Sequence, residues 1–269
     1  MDSNIATVIV LSVALLAALA GILAYRHYKP ISKRLHDIPA DKRDKSGSNW
    51  SDDILAMYKS TRDRLTDGKA GNFELAVNPF KTHLVVDFET ANLTRSWDSV
   101  ASVGLALVID GKTIETTHTL ARPRVSMDAG ASQVNGLTDK ILSDELDVEY
   151  VLGVLCMMLK MGLPIVSYNN FDLEILSSFS AHSEYGELHS VPLHIDAMLL
   201  ATEVYTPGRK WLKLEEACDI AGVTLTNAHN AEADAIATAQ LMSKLFTVIE
   251  NDDADRIKVE PSMKHQPFL

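Results

Sequence analysis

Only two cysteines occur among the 269 residues, Cys156 and Cys218. Each sits in an apolar, helix-like stretch (VLGVLCMMLK and LEEACDIAGV), and neither has CxxC or metal-ligand spacing. That argues against a disulfide framework and against a cysteine-built metal site. Two reduced, mostly buried thiols are expected instead, because free cysteine is among the most buried residue types. An internal repeat and a low-complexity tract are also absent, and the composition is that of a globular protein. The third shortage is positive charge. The net formal charge is −11 and the pI near 5.2, whereas nucleic-acid binders are ordinarily basic. The distribution softens that objection: residues 1–80 carry +2, residues 81–248 carry −11 and residues 249–269 carry −2. The acid is concentrated where the candidate chemistry lies, and bound cations would neutralise part of it.

What is present first is an apolar run. Residues 5–25 read IATVIVLSVALLAALAGILAY without a charge, and about 20 apolar residues span a bilayer core as a helix. A cleaved signal peptide is the rival, since Ala18-Leu19-Ala20 resembles a small-x-small cleavage site. The preceding Met-Asp-Ser-Asn lacks the basic residues of such a signal, and the basic residues Arg26, Lys29, Lys33 and Arg34 follow the run instead. This order predicts an uncleaved single-pass anchor in residues 1–29 with the remainder in the cytoplasm.

Residues 30–80 read as a linker containing one short helix, 51–65, with a serine cap, early acids and later bases. From Lys81 the pattern changes. THLVVDF is a β-branched strand run. Residues 99–110 and 112–121 form two strands around Asp110-Gly111, a hairpin signal. A helix over 145–161, a strand over 163–169, a helix in LEILSSFSAH, a strand over 191–196 and three more helices follow. The order predicts an α/β domain, a mixed sheet of five strands flanked by helices. Residues 249–269 read as a polar tail.

Three short patterns bear on chemistry. Asp87 and Glu89 lie two apart at the end of the first strand, so they share a face, and carboxylate oxygens suit Mg²⁺ and Mn²⁺. Asp172 follows the fourth strand in SYNNFDLEIL, a place where an aspartate ordinarily caps a helix. His229 and Asp234 lie in NAHNAEADAIATAQL at the start of the last long helix. Each alone has an ordinary explanation.

Together, the ordered set D-x-E, N-F-D and H-x4-D resembles the DnaQ-like, DEDDh 3′–5′ exonucleases, over about residues 81–248. SQVNGLTD, HIDAMLLA and HNAEADA are similar to further segments of that family. The resemblance implies an RNase H-like fold and two divalent cations, Mg²⁺ or Mn²⁺. It implies Asp87, Glu89, Asp172 and Asp234 as metal ligands, with Asp87 shared by both ions, and His229 as the base for the attacking water. Thr90, Ala91 and Asn92 would sit beside the terminal nucleotide, with Phe171 near the bases. Arg209 and Lys210, in TPGRKW, are the expected grip on phosphates, with Arg122, Arg124 and Lys213 as other available bases. The implied substrate is the 3′ end of single-stranded DNA or RNA, and the product a nucleoside 5′-monophosphate. Departures occur where the family often has histidine, at Asn135 and Tyr168, and in the second motif, which is shorter between Asn169 and Phe171 than usual.

Two other readings share the residues. One is an RNA-trimming enzyme like oligoribonuclease or RNase T, and DNA is not separable from RNA by sequence because 2′-OH recognition depends on pocket shape. The other is an inactive nucleic-acid-binding adaptor, whose mark would be a missing carboxylate; none is missing. The sequence leaves a polymerase partner and a second copy of the chain open, and no partner-binding motif argues for proofreading.

Overall fold

A computed structural model of the chain describes residues 79–159, 162–182, 190–251 and 263–267, together with Ala56 and Ser60, both helical. Three antiparallel strands come first, β1 (His83–Thr90), β2 (Val100–Ile109) and β3 (Lys112–Leu120). Two short helices follow, α1 (Ala129–Asn135) and α2 (Asp139–Leu142), and then α3 (Val148–Leu159). Strand β4 (Ile165–Ser167), helix α4 (Phe171–His182) and strand β5 (Ser190–Asp196) build the parallel half. Helices α5 (Ala197–Tyr205), α6 (Leu214–Ala221) and α7 (Ala231–Asn251) precede a last strand, β6 (Met263–Pro267). The sheet order is β3-β2-β1-β4-β5-β6, with β4 and β5 parallel to β1 and the other pairs antiparallel.

Alternation along β1 assigns its two faces. Leu84, Val86 and Phe88 pack with Leu152 and Leu155 of α3 and Leu176 and Phe179 of α4. Val85 faces the other way, toward Leu200 of α5, Ala217 of α6 and Ala235, Ala239 and Leu245 of α7. Asp87 and Glu89 continue that second row, so they rise on the side covered by α7. The central position of β1, paired on both edges, makes its carboxyl end a rigid platform.

One glycine sets how closely α7 can come. Gly104 of β2 lies opposite Asp87, and a Cβ there would stand 2.0 Å from the Ala231 carbonyl oxygen and 2.6 Å from the Glu232 nitrogen. The first turn of α7 therefore rests directly on the sheet backbone, which a side chain at this position would forbid.

The five expected strands are all present, with a sixth beyond them. Residues 249–269 were expected as a polar tail; instead α7 runs to Asn251 and Met263–Pro267 pairs antiparallel with β5. A segment as polar as MKHQP gives no hydrophobic strand signal, and the pairing comes from backbone hydrogen bonds. The expected membrane span, residues 5–25, and most of the linker helix 51–65 lie outside the described residues. The single-pass membrane placement is nevertheless corrected, because no helix among the described residues is long and apolar enough to cross a membrane. The longest, α7, carries Glu232, Asp234, Lys244 and Glu250 and buries one side against the sheet.

Candidate active site

Four carboxylates meet at the carboxyl end of β1. Asp87 and Glu89 stand on the face of β1 turned toward α7. Asp172 is buried in the first turn of α4, and its Oδ1 accepts the Phe88 N–H at 2.9 Å. Asp234 is buried in the first turn of α7, where its Oδ2 accepts the His229 N–H at 3.2 Å. The shortened second motif is absorbed locally. Asn169 Oδ1 accepts the Phe171 N–H at 2.7 Å, so α4 starts at once and Asp172 falls in its first turn. The Ser167 hydroxyl, bonded to the Asn169 carbonyl and to His194 Nε2, fixes the preceding turn.

His229 lies just before α7, not on it. Its backbone is left-handed, φ 65°, as is that of Asn227 at 61°, and its side chain is exposed. Asparagine and histidine tolerate that region better than most residues. Asn230 then caps α7, its Oδ1 accepting the Ala233 N–H at 3.1 Å. The bend delivers the imidazole to the acids: ligand atoms of Glu89, His229 and Asp234 all lie within 4.8 Å of one another.

The cluster is electrostatically strained toward a cation. Burial first, then the charges of Asp172, Asp234 and Glu89, push the Asp87 carboxyl well above the usual carboxylate range. Burial and then the Asp234 carboxylate push Glu89 up to about 8, against partial relief from a hydrogen bond with Asn135. Burial raises Asp172 to about 7, although the Phe88 N–H opposes it. Asp234 is raised by burial too, with the His229 N–H and ring opposing. Like charges that force protons onto one another are relieved equally by a metal ion. Asp234 Oδ1 is buried without a hydrogen-bond partner, and unpaired oxygens of this kind fit a hard divalent ion.

The surrounding residues sort unevenly. The Thr90 hydroxyl donates to the Asn92 carbonyl at 2.6 Å, and Asn92 Oδ1 accepts from the Thr94 N–H at 3.0 Å and from its hydroxyl at 2.6 Å. Ala91 has no exposed surface, and its N–H and carbonyl are engaged by Ser99 and Asp128; it serves the turn. Phe171 is half-buried against the core beneath the Arg95 guanidinium, 5.7 Å from the ring centre. Arg95 also bonds Glu174 at 2.6 Å, linking the loop after β1 to the helix that carries Asp172; the sequence reading passed over it. Arg209 is exposed and paired with Glu216 at 3.1 Å, and Lys210 and Lys213 are exposed. Arg122 donates to the Ser143 carbonyl, while Arg124 is committed to Asp147 and Glu149.

Both positions where the family often has histidine have structural roles. Asn135 closes α1 and donates to the Thr90 carbonyl at 3.3 Å, which sets it beside Glu89. Tyr168 is buried and its hydroxyl donates to the Leu212 carbonyl at 2.7 Å, tying the end of β4 to the segment before α6. Both cysteines are buried and outside any disulfide, as expected, with burial raising Cys218 to about 11.

Residues 84–242, more than half of the chain, match the model of the RNase T family, described as exonuclease. The chain belongs to this exonuclease family. A Staphylococcus aureus protein named 3′-5′ exonuclease DinG is 24% identical over 177 residues, which is 66% of this chain and 19% of the relative. The chain thus spans about a fifth of the length of the curated relatives it matches. Among solved structures, Exonuclease I of E. coli in complex with a dA16 oligonucleotide has a TM-score of 0.51 at 20% identity, over 64% of this chain and 42% of that one. A full-length 3′-exonuclease has a TM-score of 0.53 at 13% identity, over 69% and 90%. These likenesses establish the shared fold: a mixed sheet flanked by helices, as in exonucleases of this family.

Proposed function

We propose that the protein is a metal-dependent 3′–5′ exonuclease that removes nucleoside 5′-monophosphates from the 3′ ends of single-stranded DNA or RNA. The observation that carries this is the meeting of Glu89, His229 and Asp234 within 4.8 Å of one another above Asp87, in a domain of the exonuclease family. The 3′–5′ polarity is supported by the DinG relative and single-stranded substrate by the oligonucleotide-bound neighbour.

Asp87, Glu89, Asp172 and Asp234 would hold two divalent cations, Mg²⁺ or Mn²⁺. When bound, such ions neutralise a phosphodiester and make water a stronger nucleophile. The residues of the chain do the rest. The Phe88 N–H holds Asp172 in one orientation, and the His229 N–H does the same for Asp234. His229, exposed and beside Glu89 and Asp234, takes the proton from the attacking water. Its left-handed backbone aims the ring without a helical neighbour in the way. The loop Thr90–Asn92, closed by its own hydrogen bonds, presents a firm edge to the terminal nucleotide, with Phe171 beside it.

The test gives the full chain 5′-labelled single-stranded DNA and RNA oligomers with Mg²⁺, Mn²⁺ or EDTA, and Asp234→Ala as control. A metal-dependent ladder shortening from the 3′ end, absent in the variant, is expected and ranks DNA against RNA. Cleavage that survives in Asp234→Ala overturns the assignment.

A further inference from the structure

The segment between α5 and α6 places an aromatic ring in solvent. Trp211 is 47% exposed, although burial of an indole is a large apolar gain. The other exposed large hydrophobic residues among those described are aliphatic, and Trp97 is buried edge-on against Phe179 at 5.5 Å. The exposure of Trp211 is held in place by its neighbours. Leu212, next in the chain, is wholly buried, and its carbonyl accepts the Tyr168 hydroxyl at 2.7 Å. Two residues on, the Lys213 N–H donates to Glu216 Oε2 at 3.2 Å, and the same carboxylate takes Arg209. The Arg209 N–H in turn donates to the Thr206 carbonyl at 3.0 Å. A segment fastened at Thr206, Leu212 and Glu216 cannot fold the indole inward.

Two ties hold the segment that carries this ring close to the carboxylate site. Tyr168 directly follows β4, at the sheet end where Asp87 and Glu89 stand. Glu215, four residues after Trp211, is close enough to Asp234 for its charge to act on that carboxylate. Lys210, the preceding residue, is exposed and carries a positive charge. A flat ring and a flexible cation close to a site that cleaves strand ends match how single strands are gripped without regard to sequence.

Resting on the nuclease reading, we infer that Trp211 is a stacking platform for a base upstream of the scissile nucleotide. It contributes to holding strands longer than one nucleotide and is blind to base identity. Every base offers a π-face, so stacking on Trp211 sets a length preference without a sequence preference.

The test compares (dT)8 with a one-nucleotide reporter, the p-nitrophenyl ester of thymidine 5′-monophosphate, in the full chain. Trp211→Ala is expected to raise KM for (dT)8 about tenfold with little change in kcat, from the usual worth of one base–aromatic stack. The ratio of kcat/KM for (dT)8 to that for the ester falls accordingly, and Trp211→Phe restores most of it while Trp211→Leu does not. Binding of 5′-fluorescein-labelled (dT)8 in EDTA, read by anisotropy, should weaken by the same factor in Trp211→Ala. Wild-type cleavage with an unchanged ratio in Trp211→Ala overturns the platform and leaves the nuclease. Trp211-dependent binding without wild-type cleavage upholds the platform and overturns the nuclease. Absence of wild-type binding to (dT)8 overturns the platform outright.

Discussion

Gly104 is where the fold and the site depend on one missing side chain. In Gly104→Ala the new Cβ meets the Ala231 carbonyl oxygen at 2.0 Å and its carbon at 2.3 Å. Both are backbone atoms, so no side-chain rotation relieves the overlap. Ordinary contact requires helix α7 to lift by about 1.4 Å, the difference between 2.0 and 3.4 Å. The lift separates Ala235, Ala239 and Leu245 from Val85 and Ala106 across a close-packed layer. Overpacking of this kind costs ~1–3 kcal/mol, and the backbone contact sets the expectation at the upper end. For a domain of this size ~3 kcal/mol lowers the unfolding temperature by about 6–12 °C. The lift also moves Asp234 away from Glu89, and a displacement near 1 Å can cost about 100-fold in turnover. Thermal unfolding and metal-dependent cleavage of a labelled oligonucleotide read the two effects. Gly130→Ala is the matched control: it lies in α1, nothing stands within 4 Å of its Cβ position, and it should stabilise by ~0.5–1 kcal/mol. A Gly104→Ala protein with wild-type unfolding temperature and turnover would refute the close approach of α7.

Three more outcomes follow from the site. In EDTA, stability should fall as pH rises from about 4 to 8, because Glu89, at about 8, and Asp172, at about 7, keep protons in the folded state that the unfolded chain has already released. Mn²⁺ competes with those protons, so its stabilisation should be larger at pH 8 than at pH 5; a pH-independent shift of the unfolding temperature refutes this. His229→Ala should lower kcat roughly 100- to 10,000-fold, the usual worth of a general base, while the Mn²⁺-induced rise in unfolding temperature persists; a parallel loss of that rise would make the ring a ligand instead. Tyr168→Phe removes the hydroxyl that holds the Leu212 carbonyl and should destabilise by ~1–3 kcal/mol through the unpaired buried carbonyl, measured by urea unfolding.

The carboxylate pair was legible because strand alternation is rigid: once THLVVDF is a strand, Asp87 and Glu89 must share a face. Asp110-Gly111 marked the hairpin for a similar reason, since turns demand particular backbone angles, and Asp110 adopts φ 52° there. Gly104 carried a signal too, a lone glycine inside SVGLAL, but what it admits comes from 127 residues further along the chain. The Asn135 contact with Glu89 and the Arg95 bridge to Glu174 are long-range pairings with no periodicity to betray them. Strand β6 was missed because a polar edge strand is held by backbone groups, and the sequence pattern records side chains. Arg209 and Arg124 each answer a nearby acid, a pairing that charge counting along the sequence does not reveal.

Helix α4, which brings Asp172, belongs to one hydrophobic layer, and helix α7, which brings Asp234, belongs to the other. Asp87 and Glu89 stand on the sheet between them. Cations held by all four residues would therefore rivet the two layers across the sheet. Amide hydrogen exchange should register this as slowed opening in both α4 and α7 on adding Mn²⁺, far beyond the residues that touch the ions. The proposed cation site would then double as a clasp that stiffens the protein when it is loaded.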